Sequence, residues 1–293
     1  MINIENMIKC YNAIMELSLA PEFKDVIKHQ HRALLNMEEH SVSKVSVPNY
    51  LISAKRGGGI TTLVRLLTEY LYAGRVIDFC GTAKSFEFEL DYNPPHMFFS
   101  ELGRLDSTLA SYAGFNRFFK GVVCLNIEKW VDHIEGDYFF SLMDYISTNA
   151  DKLLVVFSVH TEVEDVIDRV EAKIASHLRV ESLKLRFPDS RELLDLIETR
   201  YLISNGFTLS KDAKALVLKI IAELTVSKSF RGYRTISQLA EDILFSMLKS
   251  DDYSSMKITA KMLTCHGIDT TYSRRAKAQG GSKKIIGFME RSV

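Results

Sequence analysis

Charge of one sign is not in excess here: 37 Lys and Arg stand against 37 Asp and Glu in 293 residues. No global field therefore draws the chain toward nucleic acid or anionic lipid, and any such role needs a local patch. Cysteine is scarce. Cys10, Cys80, Cys124 and Cys265 lie far apart with no CxxC or other metal-ligand spacing, the pattern of reduced thiols in a cytosolic protein. Cys80 and Cys124 sit in apolar runs, where a thiol packs as a small hydrophobe. The first ten residues lack a basic segment followed by an apolar one. No apolar run reaches the roughly 18 residues of a membrane helix. There is no internal repeat. These absences lead to the expectation of a soluble, cytoplasmic protein with no membrane partner.

What is present is enough apolar sequence, 46% of the chain, for one large domain and a small one. Apolar spacing through Ile8, Ala13, Ile14 and Leu17, then Phe23, Ile27, Leu34 and Leu35, predicts helices over residues 1–45 that lead into the main module. Residues 46–188 alternate strand and helix. Strands are predicted at Asn49–Ser53, Arg75–Cys80, Gly121–Ile127, Leu153–Val159 and Ser182–Phe187. Helices are predicted at Leu63–Tyr72, Met97–Leu109, Tyr138–Thr148 and Val163–Leu178. Such alternation implies crossover connections and a parallel sheet covered on both faces. From Asp189 the pattern turns wholly helical, with Asp189 or Ser190 as the first N-cap, Asn205-Gly206 as a stop, and helices at Ser210–Leu224 and Thr235–Leu248. This gives an all-helical unit over 189–250 and a basic, partly flexible tail over 251–293.

Between the first strand and helix lies a glycine-rich loop, Ala54-Lys55-Arg56-Gly57-Gly58-Gly59-Ile60-Thr61-Thr62. A strand, a glycine loop and a helix form the frame of a phosphate-binding loop, in which backbone N–H groups and the helix N-terminus meet the anion. Against the pattern G-x-x-x-x-G-K-[ST], Gly59 and Thr61 remain, Ala54 replaces the first glycine and Ile60 replaces the lysine. Lys55 and Arg56 are the charges left to compensate. A flexible turn is the plain alternative.

The loop, the strand Val122–Ile127 and the junction Phe187-Pro188-Asp189-Ser190-Arg191-Glu192-Leu193-Leu194 together resemble the AAA+ ATPase superfamily. The similarity is to the group that holds CbxX proteins, sporulation protein K and type VII secretion ATPases, and it spans about residues 17–250. The junction matches that group's F-P-D-Y-x-x-E-E-L entry into the lid. The resemblance implies a parallel-sheet P-loop NTPase (AAA+) domain followed by a small helical lid. It also implies ATP or ADP with Mg as the cofactor, and Gly57, Gly58, Gly59, Ile60, Thr61, Thr62 and Arg231 as nucleotide-side positions. Thr61 would be the metal-side hydroxyl, and Arg231 matches the family's second sensor arginine within Ser229–Arg234.

The same resemblance marks the departures. Where the Walker B strand ends in Asp-Glu, this chain has Asn126 and Ile127, with Glu128 one place late; a one-residue slip on a strand turns a side chain to the other face. Asn is a weaker partner for a hard cation than a carboxylate, and Ile127 cannot act as a base. The first sensor falls at Ser158 or His160. His177 stands near the arginine-finger position, with Arg179 close by. Phosphoryl transfer rests on positioning and charge, so the expectation is a degenerate ATPase-like protein. It would bind nucleotide weakly or not at all and act through protein contacts, in a homo- or hetero-oligomer with AAA+ relatives. An active AAA+ ATPase is the alternative. A nucleic-acid-binding AAA+ protein is the third reading, through Arg274, Arg275, Lys277, Lys283, Lys284 and Arg291, which face only Glu290 from residue 272 onward. His29, His31 and His40 have no metal spacing and read as surface helix histidines, and Trp130 as core or interface.

Overall fold

The computed structural model describes residues 4–17, 20–40, 47–77, 83, 85–89, 103, 107, 121–227, 229–249 and 256–277. The chain forms two compact units, Met1–Phe187 and Pro188–Val293.

In the first unit, helices α1 (Ile4–Met15) and α2 (Pro21–Glu39) precede strand β1 (Asn49–Ala54) and helix α3 (Ile60–Ala73). Then come β2 (Ser85–Glu89), β3 (Gly121–Asn126), a 3₁₀ turn Glu128–His133, α4 (Asp137–Thr148), β4 (Leu153–Val159), α5 (Glu164–Ala175) and β5 (Val180–Leu185). The five strands make one parallel sheet in the order β2-β3-β4-β1-β5. Strand alternation divides the core. Tyr50, Ile52, Val122, Cys124, Leu154, Val156 and Leu183 pack with α1, α2 and α3. Leu51, Val123, Leu125, Val155, Phe157 and Val159 pack with α4, α5 and Trp130 of the 3₁₀ turn. The central strands are buried on both faces, which is why they read as unbroken apolar runs.

Of the strand predicted at Arg75–Cys80, the described residues 75–77 are not in a strand. They close the end of α3: Gly74 N–H donates to Tyr70 O, Val76 N–H to Leu71 O, and Arg75 adopts φ 54°. Residues 78–80 lie outside the described residues, and β2 runs at Ser85–Glu89, where the sequence predicts no strand. Of the predicted helix Met97–Leu109, only Gly103 and Ser107 are described, and both are helical. The last strand runs at Val180–Leu185 rather than Ser182–Phe187, set by pairing of Asn49–Ala54 with Val180–Leu185.

The second unit is mostly helical. It holds α6 (Ser190–Leu196), which continues through a π turn Ile197–Leu202 and a 3₁₀ turn Ile203–Asn205 to Gly206 at φ 81°. Helices α7 (Lys211–Thr225), α8 (Tyr233–Leu248), α9 (Ala260–Cys265) and α10 (Ile268–Lys277) follow. Two corrections apply. The unit is not all-helical, because β6 (Thr208–Leu209) pairs in parallel with β7 (Lys257–Ile258). The stretch expected as a basic tail also contains β7, α9 and α10. Buried Tyr272 anchors α10, donating to Asp242 Oδ2 at 2.6 Å, while Ser273 Oγ donates to Glu223 at 2.7 Å.

Candidate functional site

In a parallel sheet the carboxyl ends of all strands share one edge, and a crevice opens where connections leave in opposite directions. Here β1 runs on to β2 at the far edge, while β4 runs on to β5 across β1. The glycine loop leaves β1 at that place. It joins the ends of β3, at Asn126, and of β4, at Val159.

The loop is tightly closed. Gly57 and Gly59 have φ 80° and 86°, in the left-handed region that glycine tolerates. Gly58 N–H donates to Lys55 O at 2.8 Å. A Cβ on Gly58 would stand 2.8 Å from that oxygen and 3.0 Å from the Ala54 Cβ, so the loop packs against the methyl at the position of the missing first glycine. Helix α3 starts at Ile60 with Gly59 as N-cap and no side-chain cap. Its first N–H groups therefore present the positive end of the helix dipole. Thr61 and Thr62 are exposed. Ile60, at the lysine position, is buried among the apolar residues beneath α1–α3.

The two cations of the loop diverge. Lys55 Nζ lies 5.9 Å from the centroid of Phe187, beyond β5, a weak cation–π contact. Arg56 Nη2 donates to both carboxylate oxygens of Glu128, at 3.0 and 3.2 Å, on the β3 side.

At the end of β3, Asn126 Oδ1 accepts from Glu128 N–H at 2.9 Å. The side chain expected at the metal-organising position is thus engaged with the first residue of the 3₁₀ turn. Ile127 is fully buried in the opposite apolar cluster, with Trp130 and Phe139. Of the two sensor candidates, Ser158 is buried inside the sheet, its Oγ donating to Leu125 O at 3.4 Å and accepting from Cys124 Sγ at 3.8 Å. Burial pushes the Cys124 thiol up to about 11. His160, just past β4, reaches the edge, and its Nδ1 lies 3.4 Å from Glu128 Oε2. This contact lacks hydrogen-bond alignment, so it is a close electrostatic approach only. Arg56, Glu128 and His160 therefore meet at the sheet edge, a grouping that no sequence spacing signals.

His177 is exposed beyond α5 and packs edge-on against Phe140, centroids 5.3 Å apart. Arg179 follows it, its carbonyl accepting from Asn49 N–H. In the second unit, Arg231 is exposed, and its N–H donates to Thr235 Oγ1 at 2.9 Å. Arg274, Arg275 and Lys277 belong to α10, with the Arg275 guanidinium 4.9 Å from the Tyr272 ring centroid; Lys283, Lys284 and Arg291 lie outside the described residues. His31, expected as a surface histidine, is instead half-buried between α1 and α3. A cavity of about 820 Å³ borders Lys9, Cys10, Glu69 and Arg75, at the other end of α3 from the loop. Among the described residues, no group of three or more His, Cys, Asp or Glu is placed to hold a metal, and no helix is long and apolar enough to cross a membrane.

No family model and no curated protein matches the chain. Solved structures do. The chain is similar to a point mutant of RuvB from Thermotoga maritima, with TM-score 0.50 and 12% identity over 83% of this chain and 68% of that one. It is also similar to PCH-2 of C. elegans, with TM-score 0.49 and 14% identity over 88% of this chain and 70% of that one. At such identities the likeness concerns the fold alone, a parallel α/β sheet unit followed by a mostly helical one.

Proposed function

We propose that this protein is a degenerate AAA+ ATPase-like subunit that binds adenine nucleotide weakly or not at all and acts through contacts with other proteins. Its partners would be copies of itself or AAA+ relatives in an oligomer. One observation carries the reading: Ile127, at the position of the water-activating carboxylate, lies fully buried in the apolar core. Removing a base and a charged loop residue leaves little with which to organise phosphoryl transfer, which depends on placement and charge.

The phosphate side is better kept than the metal side. Gly57, Gly58 and Gly59 shape the loop, and the uncapped start of α3 favours an anion. Of the positions expected to hold magnesium, the exposed Thr61 hydroxyl remains, since Asn126 Oδ1 is engaged with the Glu128 amide and the Glu128 carboxylate is paired with Arg56. These residues do not fit a magnesium ion, and no catalytic step is assigned to one.

The test is Mg-ATP calorimetry on the purified chain up to the millimolar range, together with steady-state turnover. Weak or absent binding and no turnover are expected. Turnover that follows the protein through successive columns would establish the active-ATPase reading in its place. Tight, salt-dependent DNA binding lost on truncation after Cys265 would favour the nucleic-acid reading.

A further inference from the structure

We propose that Glu128 serves as the loop's internal anion, holding Arg56 until a phosphate-bearing ligand takes it over. The proposal rests on the reading of the Ala54–Thr62 loop as a phosphate site and adds a regulation to it.

Three features of the geometry converge. Arg56 Nη2 bridges both oxygens of Glu128, and a guanidinium accepts a carboxylate or a phosphate with the same donor fork. The backbone that carries the carboxylate is also held, because Glu128 opens the 3₁₀ turn and its N–H donates to Asn126 Oδ1. Lys55 lies toward Phe187 instead, which leaves Arg56 as the loop cation on the β3 side. The residue one place late for water activation thus occupies the guanidinium that a phosphate arriving at α3 would need. Binding and the Arg56–Glu128 pair are alternatives. The apparent affinity is then lowered by the fraction of molecules in which the pair is closed.

The size of the effect follows from exposure. The Arg56 side chain is 77% exposed and that of Glu128 33%, so the pair is a surface one and worth about two- to five-fold in a competing equilibrium.

The experiment is calorimetric titration of the full chain with sodium pyrophosphate in EDTA-containing buffer, so that no divalent cation contributes. Wild type, Glu128→Gln, Arg56→Gln and the double variant are compared, with thermal melting as a control for folding. Glu128→Gln should bind pyrophosphate about two- to five-fold more tightly. Arg56→Gln should bind more weakly than wild type, and the double variant should show no gain over Arg56→Gln. Glu128→Asn, with a shorter neutral side chain, should reproduce the gain if Glu128→Gln melts early. An unchanged or weakened affinity in both Glu128 variants overturns the proposal, as does a gain that persists without Arg56. So does the absence of binding in all four proteins. ATP turnover by wild type would overturn the degenerate reading and leave this one standing. A missing gain in metal-free buffer does the reverse.

Discussion

The imidazole of His31 stacks on the ring of Tyr11, with centroids 4.1 Å apart and 15° between the planes. Its Nδ1 lies 3.2 Å from the Tyr70 hydroxyl. The three residues belong to α2, α1 and α3, so one small cluster ties the helical layer together above the sheet. Burial holds the His31 pKa below its usual 6.5. As pH falls through 6.5 the unfolded chain takes up a proton that the folded chain resists. The contribution is therefore complete above that value and declines below it. Urea midpoints measured near pH 7.5 and near pH 5.5 should fall more for wild type than for His31→Gln. An equal fall in both would remove His31 from the account.

Asn49 fastens the start of β1 to strands on both sides. Its Oδ1 accepts from Val155 N–H at 2.8 Å, while its Nδ2 and its own N–H donate to Arg179 O at 3.3 and 3.0 Å. Asn49→Ala leaves the amide of buried Val155 without that acceptor. A loss of about 1–3 kcal/mol in chemical denaturation is expected. Asn49→Asp keeps the acceptor for Val155 N–H but sets a carboxylate oxygen against the Arg179 carbonyl, and it should still cost less than Asn49→Ala. If the two variants lose the same stability, the Val155 bond is not what matters.

Legibility follows burial. β1, β3 and β4 are enclosed on both faces, and their unbroken apolar runs mark them in the sequence. β2 carries Phe86 and Phe88 between Ser85, Glu87 and Glu89, and that alternation is outweighed by the stronger apolar run at Val76–Cys80, part of which closes the end of α3. α10 escapes a periodicity argument because its mean composition is polar; buried Ile268 and Tyr272 and the side-chain hydrogen bonds of Tyr272 and Ser273 hold it, and spacing does not reveal the bonds. At the site, the reading of Ile60, Asn126 and Ile127 as departures from a motif comes from spacing in the sequence. The Arg56–Glu128 pair cannot be read that way, since its members are 72 residues apart and meet only through the order of the strands.

The entry to the second unit makes a local prediction. Asp189 Oδ1 accepts from Arg191 N–H and Glu192 N–H at 2.8 and 2.9 Å, and Glu192 Oε2 accepts from Asp189 N–H at 2.8 Å, completing a capping box. Asp189→Ala should cost about 1 kcal/mol, within a range of about 0.5–2. Asp189→Ser, which retains an acceptor, should recover most of it. Hydrogen exchange of the Arg191 and Glu192 amides would report the same loss locally, and unchanged protection there would show that the box adds nothing.

Under the proposed degenerate reading, Ile127→Glu tests whether a base can be placed at the end of β3. The position is fully buried in the cluster of Trp130, Phe139 and Phe157, among apolar side chains. An uncompensated buried charge costs on the order of 3–5 kcal/mol, so the variant should be strongly destabilised and show no ATP turnover. Adding Ile60→Lys and Asn126→Asp does not help, because neither places a partner inside that cluster. Ile60 belongs to the core on the other face of the sheet. The decisive comparison is the triple variant's melting point and turnover against wild type. A stable, hydrolysing triple variant would mean that the end of β3 can rotate its side chains toward the loop at little cost, and that the apolar core does not exclude a base there.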